Sequence, residues 1–167
     1  MFIIVDMDKC SGCRLCELAC SIHFDGESNP ARSAIRILSR KDHGIDLPVL
    51  CQQCDSPECV RNCKAGALYR NETLGYISVD EKKCSGCRVC AELCPWSGIR
   101  IILEGNIARK CDLCAGKPAC VEVCRYNALE LVAEDSIGEY RKKKAQEKLN
   151  QYRILVAPAW PEDNRNA

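Results

Sequence analysis

Apolar and polar positions along this chain alternate in short bursts, and no long amphipathic run interrupts them. The opening Met1-Phe2-Ile3-Ile4-Val5-Asp6, within residues 1–9, predicts a short strand. Residues 17–24 predict a short helix, and Ala34-Ile35-Arg36-Ile37-Leu38-Ser39 alternates as a strand does. Gly44 to Pro48 reads as a loop, from which Val49-Leu50 leads on. Two hairpins follow. One joins Gly66-Ala67-Leu68-Tyr69 to Gly75-Tyr76-Ile77-Ser78-Val79-Asp80, the other Gly98-Ile99-Arg100-Ile101-Ile102-Leu103 to Gly105-Asn106-Ile107-Ala108. Ala128-Leu129-Glu130-Leu131-Val132 predicts the last strand of this region. The expected class is α+β, with small two-stranded sheets and short helices.

Past Glu134 the pattern changes. Ser136 with Glu139 three residues on is a capping box, so residues 137–152 predict a C-terminal helix. Ile137, Tyr140, Leu149 and Tyr152 fall on one side of it, and Arg141-Lys142-Lys143-Lys144 form a solvated face. The tail Ile154-Leu155-Val156-Ala157-Pro158-Ala159-Trp160-Pro161 is apolar and held extended by its prolines. It either packs on its own domain or docks on a partner, a second copy of this chain included. Residues 1–133 are therefore expected as one domain, and 134–167 as a helix and partner-docking tail.

Charge narrows the function. The 167 residues carry 24 basic and 23 acidic side chains, which gives no electrostatic case for nucleic acid or an anionic membrane. No run approaches the ~18 consecutive apolar residues of a membrane-spanning helix. Met1 to Asp6 lacks a basic leader region, which points to the cytoplasm. No Ser-His-Asp set, glycine-rich phosphate loop, or flavin or nicotinamide fingerprint is present, so no catalytic residue is expected. His23 and His43 read as structural or solvated.

The 16 cysteines carry the chemistry. They form four groups and none lies outside: Cys10, Cys13, Cys16, Cys20; Cys51, Cys54, Cys59, Cys63; Cys84, Cys87, Cys90, Cys94; and Cys111, Cys114, Cys120, Cys124. The first and third read C-x2-C-x2-C-x3-C, the spacing of bacterial-type 4Fe–4S ferredoxins. The second and fourth widen only the middle gap, to x4 and x5. Disulfide frameworks spread their cysteines to join distant loops, and zinc sites use separated pairs, often with histidine. Neither matches these dense groups. Sixteen thiolates supply four 4Fe–4S clusters with none left over, and no iron is left open for a substrate, as a catalytic or sensing cluster would need. Little room remains for an ordinary core, so the metal is expected to carry much of the folding free energy.

Within each group, small residues such as Ser11-Gly12 and Ser85-Gly86 let backbone N–H groups approach a cluster. The fourth cysteine lies one helical turn past the third and is expected to serve a different cluster, as in two-cluster ferredoxins. Shared spacings suggest an internal duplication with a period of about 70 residues. Spacing alone allows adjacent pairing of motifs, first with second and third with fourth. It equally allows nested pairing, second with third and first with fourth.

Cys51-Gln52-Gln53-Cys54-Asp55-Ser56-Pro57-Glu58-Cys59-Val60, Ala108-Arg109-Lys110-Cys111-Asp112-Leu113-Cys114 and Pro118-Ala119-Cys120-Val121-Glu122-Val123-Cys124 carry a resemblance, as does the step Asn127-Ala128-Leu129. Over residues 1–132 the chain resembles the four-cluster ferredoxin-like electron-transfer subunits of molybdenum and tungsten oxidoreductases. It looks most similar to the small subunit of tungsten-dependent aldehyde oxidoreductases. The resemblance implies a duplicated bacterial-type ferredoxin fold with nested pairing. The four ligand sets it implies are Cys10, Cys13, Cys16 with Cys124; Cys111, Cys114, Cys120 with Cys20; Cys51, Cys54, Cys59 with Cys94; and Cys84, Cys87, Cys90 with Cys63. It also implies a non-catalytic subunit that relays single electrons. The implied partner is a large subunit with a tungsten or molybdenum pterin cofactor, in the cytoplasm of an anaerobic prokaryote. A flavin subunit, a ferredoxin or another copy of the chain would accept the electrons. Alternatives are a freely diffusing polyferredoxin, or the beta subunit of another molybdopterin oxidoreductase, hydrogenase or formate dehydrogenase complex. Diffusing ferredoxins are usually strongly acidic, unlike this balanced chain.

One departure concerns the residue after each last cysteine, where related ferredoxins place proline. Only Cys94-Pro95 keeps it; Ser21, Lys64 and Arg125 stand at the other three positions. Lys64 and Arg125 either raise the potentials of nearby clusters or are ordinary surface charges.

Overall fold

The computed structural model describes residues 1–133 together with 138, 140 and 142–147. The chain divides into two compact units, Met1–Leu131 and Val132–Ala167.

Each cysteine motif runs into a helix that carries its third cysteine, and a strand comes next. Strand β1 (Phe2–Val5) leads through a 3-10 turn (Met7–Lys9) into the first motif and helix α1 (Leu15–Asp25). Strands β2 (Arg36–Arg40) and β3 (Ile45–Val49) follow, then the one-turn helix α2 (Glu58–Arg61). Next come β4 (Leu68–Arg70), β5 (Ile77–Val79), the one-turn helix α3 (Val89–Glu92), β6 (Ile99–Ile102) and β7 (Ile107–Lys110). The one-turn helix α4 (Ala119–Glu122) and strand β8 (Leu129–Val132) complete the set.

All sheets among the described residues are two-stranded. Three are antiparallel hairpins: β2 with β3, β4 with β5, and β6 with β7. The fourth joins β1 to β8, so the start of the chain meets the strand after the last motif. The Asp6 N–H donates to the Ala128 carbonyl at 2.8 Å beside that pairing. The expected α+β class with small sheets and short helices is what the structure has.

The stretch from Gly44 to Pro48, expected as a loop, is instead mostly strand β3. Pro48 pairs with Ile37, and Asp46 pairs with Ser39. In a two-stranded sheet each strand is an edge, so a proline without an N–H costs no ladder bond on its outer side. Gly44 sits at φ +64° in the turn, which is why it reads as a loop signal. Past residue 133, Gly138, Tyr140 and residues 142–147 are helical. Ser136 and Glu139 of the expected capping box, and the tail from Ile154 to Pro161, lie outside the described residues.

The core has two parts, and cysteines belong to both. One gathers Ile3, Ile35, Ile37, Leu50, Leu113 and Leu129 around Cys16, Cys20, Cys51, Cys111 and Cys120. The other gathers Leu68, Ile77, Ile99 and Ala108 around Cys59 and Cys90. Each large aliphatic side chain buried here contributes about 1.5–3 kcal/mol. An ion-pair node joins the end of α1 to β7. Asp25, at the end of α1, accepts from Arg32 at 3.0 Å and from Arg109 of β7 at 3.1 and 3.2 Å. Arg109 lies 4.5 Å over the Phe24 ring and is 5% exposed. These arginine hydrogen bonds hold the Asp25 carboxyl down at about 2.

Candidate iron–sulfur centres

The four motifs share one local geometry. The third cysteine of each, Cys16, Cys59, Cys90 or Cys120, is the second residue of a helix and is buried. The fourth follows four residues on. After three of the four motifs, a residue with left-handed backbone returns its N–H to the last cysteine's carbonyl. Gly66 does so at φ +60° and 3.0 Å, Ser97 at φ +50° and 3.1 Å, and Asn127 at φ +50° and 3.1 Å. The next N–H then donates to that cysteine's Sγ: Ala67 to Cys63 at 3.3 Å, Gly98 to Cys94 at 3.3 Å, and Ala128 to Cys124 at 3.2 Å. A small residue at this step lets the backbone come close to sulfur.

The first motif reaches the same contact differently. α1 runs on to Asp25, and it is Ala34 N–H that donates to Cys20 Sγ at 3.3 Å. The small-then-apolar step is thus Ala34-Ile35, displaced by ten residues relative to the other motifs (14 residues from the cysteine against 4). The buried hydroxyl of Ser21 closes the inserted loop, accepting from Asn29 N–H at 3.0 Å and donating to Leu18 carbonyl at 2.9 Å.

The thiols gather in sets drawn from different motifs. Cys63 lines one cavity with Cys84, Cys87 and Cys90. Cys124 lines a second with Cys10, Cys13 and Cys16. Cys20 stands within electrostatic reach of Cys111, Cys114 and Cys120, as Cys94 and Cys51 do of Cys59. Cys54 lies three residues past Cys51 on the same C-x2-C turn. Successive sets adjoin: Cys16 bears on Cys120, Cys51 on Cys111, and Cys59 on Cys90. Of the 16 cysteines, Cys13 and Cys87 alone are exposed, and they belong to the first and last sets of this succession.

Burial sets the chemistry of these thiols before any metal binds. It pushes Cys16 up to about 12 and both Cys90 and Cys114 up to about 11. Cys10, Cys59, Cys111 and Cys120 are raised for the same first cause. Neighbouring sulfurs raise them further, because several thiolates cannot share a buried site without a cation. Backbone N–H groups of Gly12, Leu113 and Ala119 oppose the shift at Cys10, Cys111 and Cys114. A soft, multiply charged metal centre reverses this balance, and an all-thiol donor set with N–H groups aimed at sulfur suits a cubane cluster.

Two glycines hold equivalent places in the first and third C-x2-C turns, Gly12 at φ +66° and Gly86 at φ +68°. Arg14 at φ +62° and Arg88 at φ +67° follow them as left-handed helix caps.

Sequence reasoning passed over the buried polar residues. Gln53 is 3% exposed; its N–H donates to Cys51 Sγ at 3.2 Å and its side-chain amide to Cys111 carbonyl at 2.8 Å. It also accepts from Ile77 N–H at 3.0 Å, so one side chain ties three elements. Lys110 is 4% exposed and donates to Cys51 Sγ. Glu17, also 4% exposed, accepts from Ile37 N–H at 2.7 Å beside Cys16. No periodicity flags these positions; only adjacency to a cysteine could have. His23 Nε2 stands 3.6 Å from Asp112 Oδ2, and with Cys114 these offer ligand atoms within 4.8 Å of one another. His43 is an exposed neighbour of Asp42.

Comparison with known proteins extends this picture. Residues 43–134 match the family model described as "4Fe-4S dicluster domain". A protein of Pyrococcus furiosus, "Aliphatic sulfonate oxidoreductase, polyferredoxin-like subunit", is 39% identical over 113 residues, covering 68% of this chain and 65% of that protein. "Electron transport protein HydN" of Escherichia coli is 31% identical over 132 residues, covering 67% of this chain and 74% of HydN. Among solved structures, "Active site complex BamBC of Benzoyl Coenzyme A reductase in complex with Benzoyl-CoA" aligns with TM-score 0.46 and 27% identity, over 83% of this chain and 86% of that one.

Proposed function

The chain belongs to the 4Fe-4S dicluster domain family, and from that premise we propose that it is the electron-relay subunit of an oxidoreductase, with four 4Fe–4S clusters. The proposed ligand sets are the nested ones: Cys10, Cys13, Cys16 and Cys124; Cys20, Cys111, Cys114 and Cys120; Cys51, Cys54, Cys59 and Cys94; Cys63, Cys84, Cys87 and Cys90. The observation that carries this reading is the pair of cavities, each lined by three cysteines of one motif and one of another. Each bound cluster would supply a one-electron redox centre.

The chain's own residues do the rest. Thiols and backbone N–H groups hold and orient each centre, and the apolar core around them keeps water from the interior sets. Exposed Cys13 and Cys87 put the first and last sets within reach of partners, which suits entry at one end and exit at the other. We further propose a tungsten or molybdenum pterin subunit as the catalytic partner, an aldehyde oxidoreductase in the first instance. A cytoplasmic site of action goes with this reading. Among the described residues no helix is long and apolar enough to cross a membrane. The balance of 24 basic against 23 acidic residues favours a docked subunit over a diffusing carrier.

The test is metal and subunit analysis of the native complex purified without oxygen. The expected result is roughly 16 irons per chain, at about four per cluster, with tungsten or molybdenum on a larger co-purifying subunit. A chain with iron and no larger subunit would leave the polyferredoxin reading in place. Zinc instead of iron would refute both.

A further inference from the structure

We propose that Lys110 is the built-in counter-ion of the site formed by Cys51, Cys54, Cys59 and Cys94, and that it makes this interior site the strongest electron acceptor of the four. The proposal rests on the relay reading above.

Among the described residues, the buried cations are Arg109 and Lys110, neighbours at the end of β7. Their surroundings differ. Arg109 is answered by the Asp25 carboxylate, with Glu81 3.5 Å away. Lys110 makes no ion pair with a carboxylate among the described residues; its ammonium donates to Cys51 Sγ. A buried ammonium is costly unless an anion faces it. The anions available are cysteine sulfurs, so the position is suited to a protein carrying a negatively charged centre there. The same cation acts on Cys59, where it opposes the effect of burial.

Gln53 fixes this arrangement. Its backbone N–H reaches Cys51 Sγ, while its side chain grips the carbonyl of Cys111, the residue after Lys110. Cys51 and β7 are thereby held together from both sides. Lys110 is itself only 4% exposed, so its ammonium is shielded from water and from screening salt.

Reduction adds one negative charge to a site. The electron comes from a neighbouring reduced iron–sulfur site, no bond is made or broken, and no proton is taken up. A fixed cation in a low-dielectric interior stabilises the reduced form more than the oxidised form. The first site differs: its buried carboxylate, Glu17, bears on Cys16 and is itself paired with Arg14 at 4.0 Å. Lys110 is a positioning residue here, and its signature is a potential rather than a rate.

The test uses the full chain in its native complex, isolated without oxygen, with Lys110→Met and Lys110→Gln. Iron content is measured first, then each midpoint potential by redox titration followed by electron paramagnetic resonance. In Lys110→Met the site with the highest potential in the wild type is expected to become at least tenfold harder to reduce, about 59 mV for a one-electron couple. The other three should move much less. If Lys110→Met loses iron, Lys110→Gln replaces it, keeping a donor while removing the charge, and the same downward shift is expected. Four unchanged potentials, or a shift spread equally over all four, would overturn the proposal while leaving the relay reading intact. Loss of iron in both variants would also overturn it, because Lys110 would then serve assembly. A wild-type complex without four clusters would instead remove the relay reading itself.

Discussion

Gly12 and Gly86 occupy equivalent turns, yet alanine should be tolerated differently at the two. Both have φ near +67°, where a Cβ costs about 1–2 kcal/mol. For an alanine Cβ at position 12 the three nearest atoms would all belong to the Asp46 side chain, with Cγ at 2.5 Å. At position 86 it would meet the Asn106 backbone carbonyl at 2.5 Å as well as that residue's side-chain amide. Crowding of this kind adds roughly 1–3 kcal/mol. Gly12→Ala should therefore cost about 2–5 kcal/mol, and adding Asp46→Ala should return it to about 1–2 kcal/mol. Gly86→Ala should cost as much, but Asn106→Ala should not relieve it, since the carbonyl stays. Asn106→Ala also removes the amide that donates to Gly86 carbonyl at 2.8 Å and the oxygen that accepts from Arg88. The assay is the rate of iron loss to a chelator, followed by visible absorption without oxygen, with both single Ala controls at 46 and 106. About 3 kcal/mol corresponds to roughly a hundredfold in rate if opening of the loop limits release. Failure of Asp46→Ala to slow the loss from Gly12→Ala would refute the reasoning. So would full rescue of Gly86→Ala by Asn106→Ala.

Three further predictions follow from the site and its supports. Cys63→Ser should remove about four irons, and adding Cys84→Ser should remove no more, whereas adding Cys59→Ser should remove about four again; a loss of about eight irons in both double variants would favour adjacent pairing. Because burial raises thiols such as Cys90 and Cys114 to about 11, they are protonated in the metal-free chain, and iron must displace those protons. Cluster loading of the metal-free protein should therefore keep strengthening as pH rises past about 9, with proton release in weakly buffered solution; a profile that levels off near 9, as ordinary thiols would give, would contradict the burial argument. Asp25→Asn leaves buried Arg109 with only the exposed Glu81 carboxylate at 3.5 Å and should cost about 3 kcal/mol, seen as faster thermal bleaching of the clusters. The wild-type contribution of Asp25 is present above its ordinary value of 3.8 and is lost as pH falls through about 2, so an Asn variant matching wild type at neutral pH would disprove it.

The cysteine spacing made the candidate iron–sulfur motifs legible, because three thiols close together on one loop suit one face of a cubane, while the fourth, one helical turn on, turns toward another motif's set. Both central hairpins were legible too, since Ile77 and Ile99 sit at clear period-two positions between glycines. β3 was not, because Gly44 and Pro48 are ordinary punctuation and a two-stranded sheet forgives both. The insertion after Cys20 was hidden for another reason: the contact to sulfur is made by a backbone N–H, which any small residue can supply at any distance along the chain. Lys110, Gln53 and Glu17 read as surface residues by type. Their burial follows from the sulfur beside them, and pattern reasoning that treats cysteine as merely apolar has no way to see it.

The meeting of β1 with β8 has a consequence for how the molecule is made. On the nested arrangement, the inner two sites are complete once the chain has been synthesised through Cys94, and Cys63 is then only 27 residues from Cys90. The outer sites must wait for Cys120 and Cys124. At about 5–20 residues per second, that delay is a matter of a few seconds on the ribosome. During it the Cys10, Cys13, Cys16 and Cys20 thiols are already outside but have no fourth partner. Closing their loop spans 114 residues, from Cys10 to Cys124, and so carries the larger entropic cost. Iron delivery should thus proceed from the middle of the chain outward, with the N-terminal motif, first to be translated, among the last to be filled.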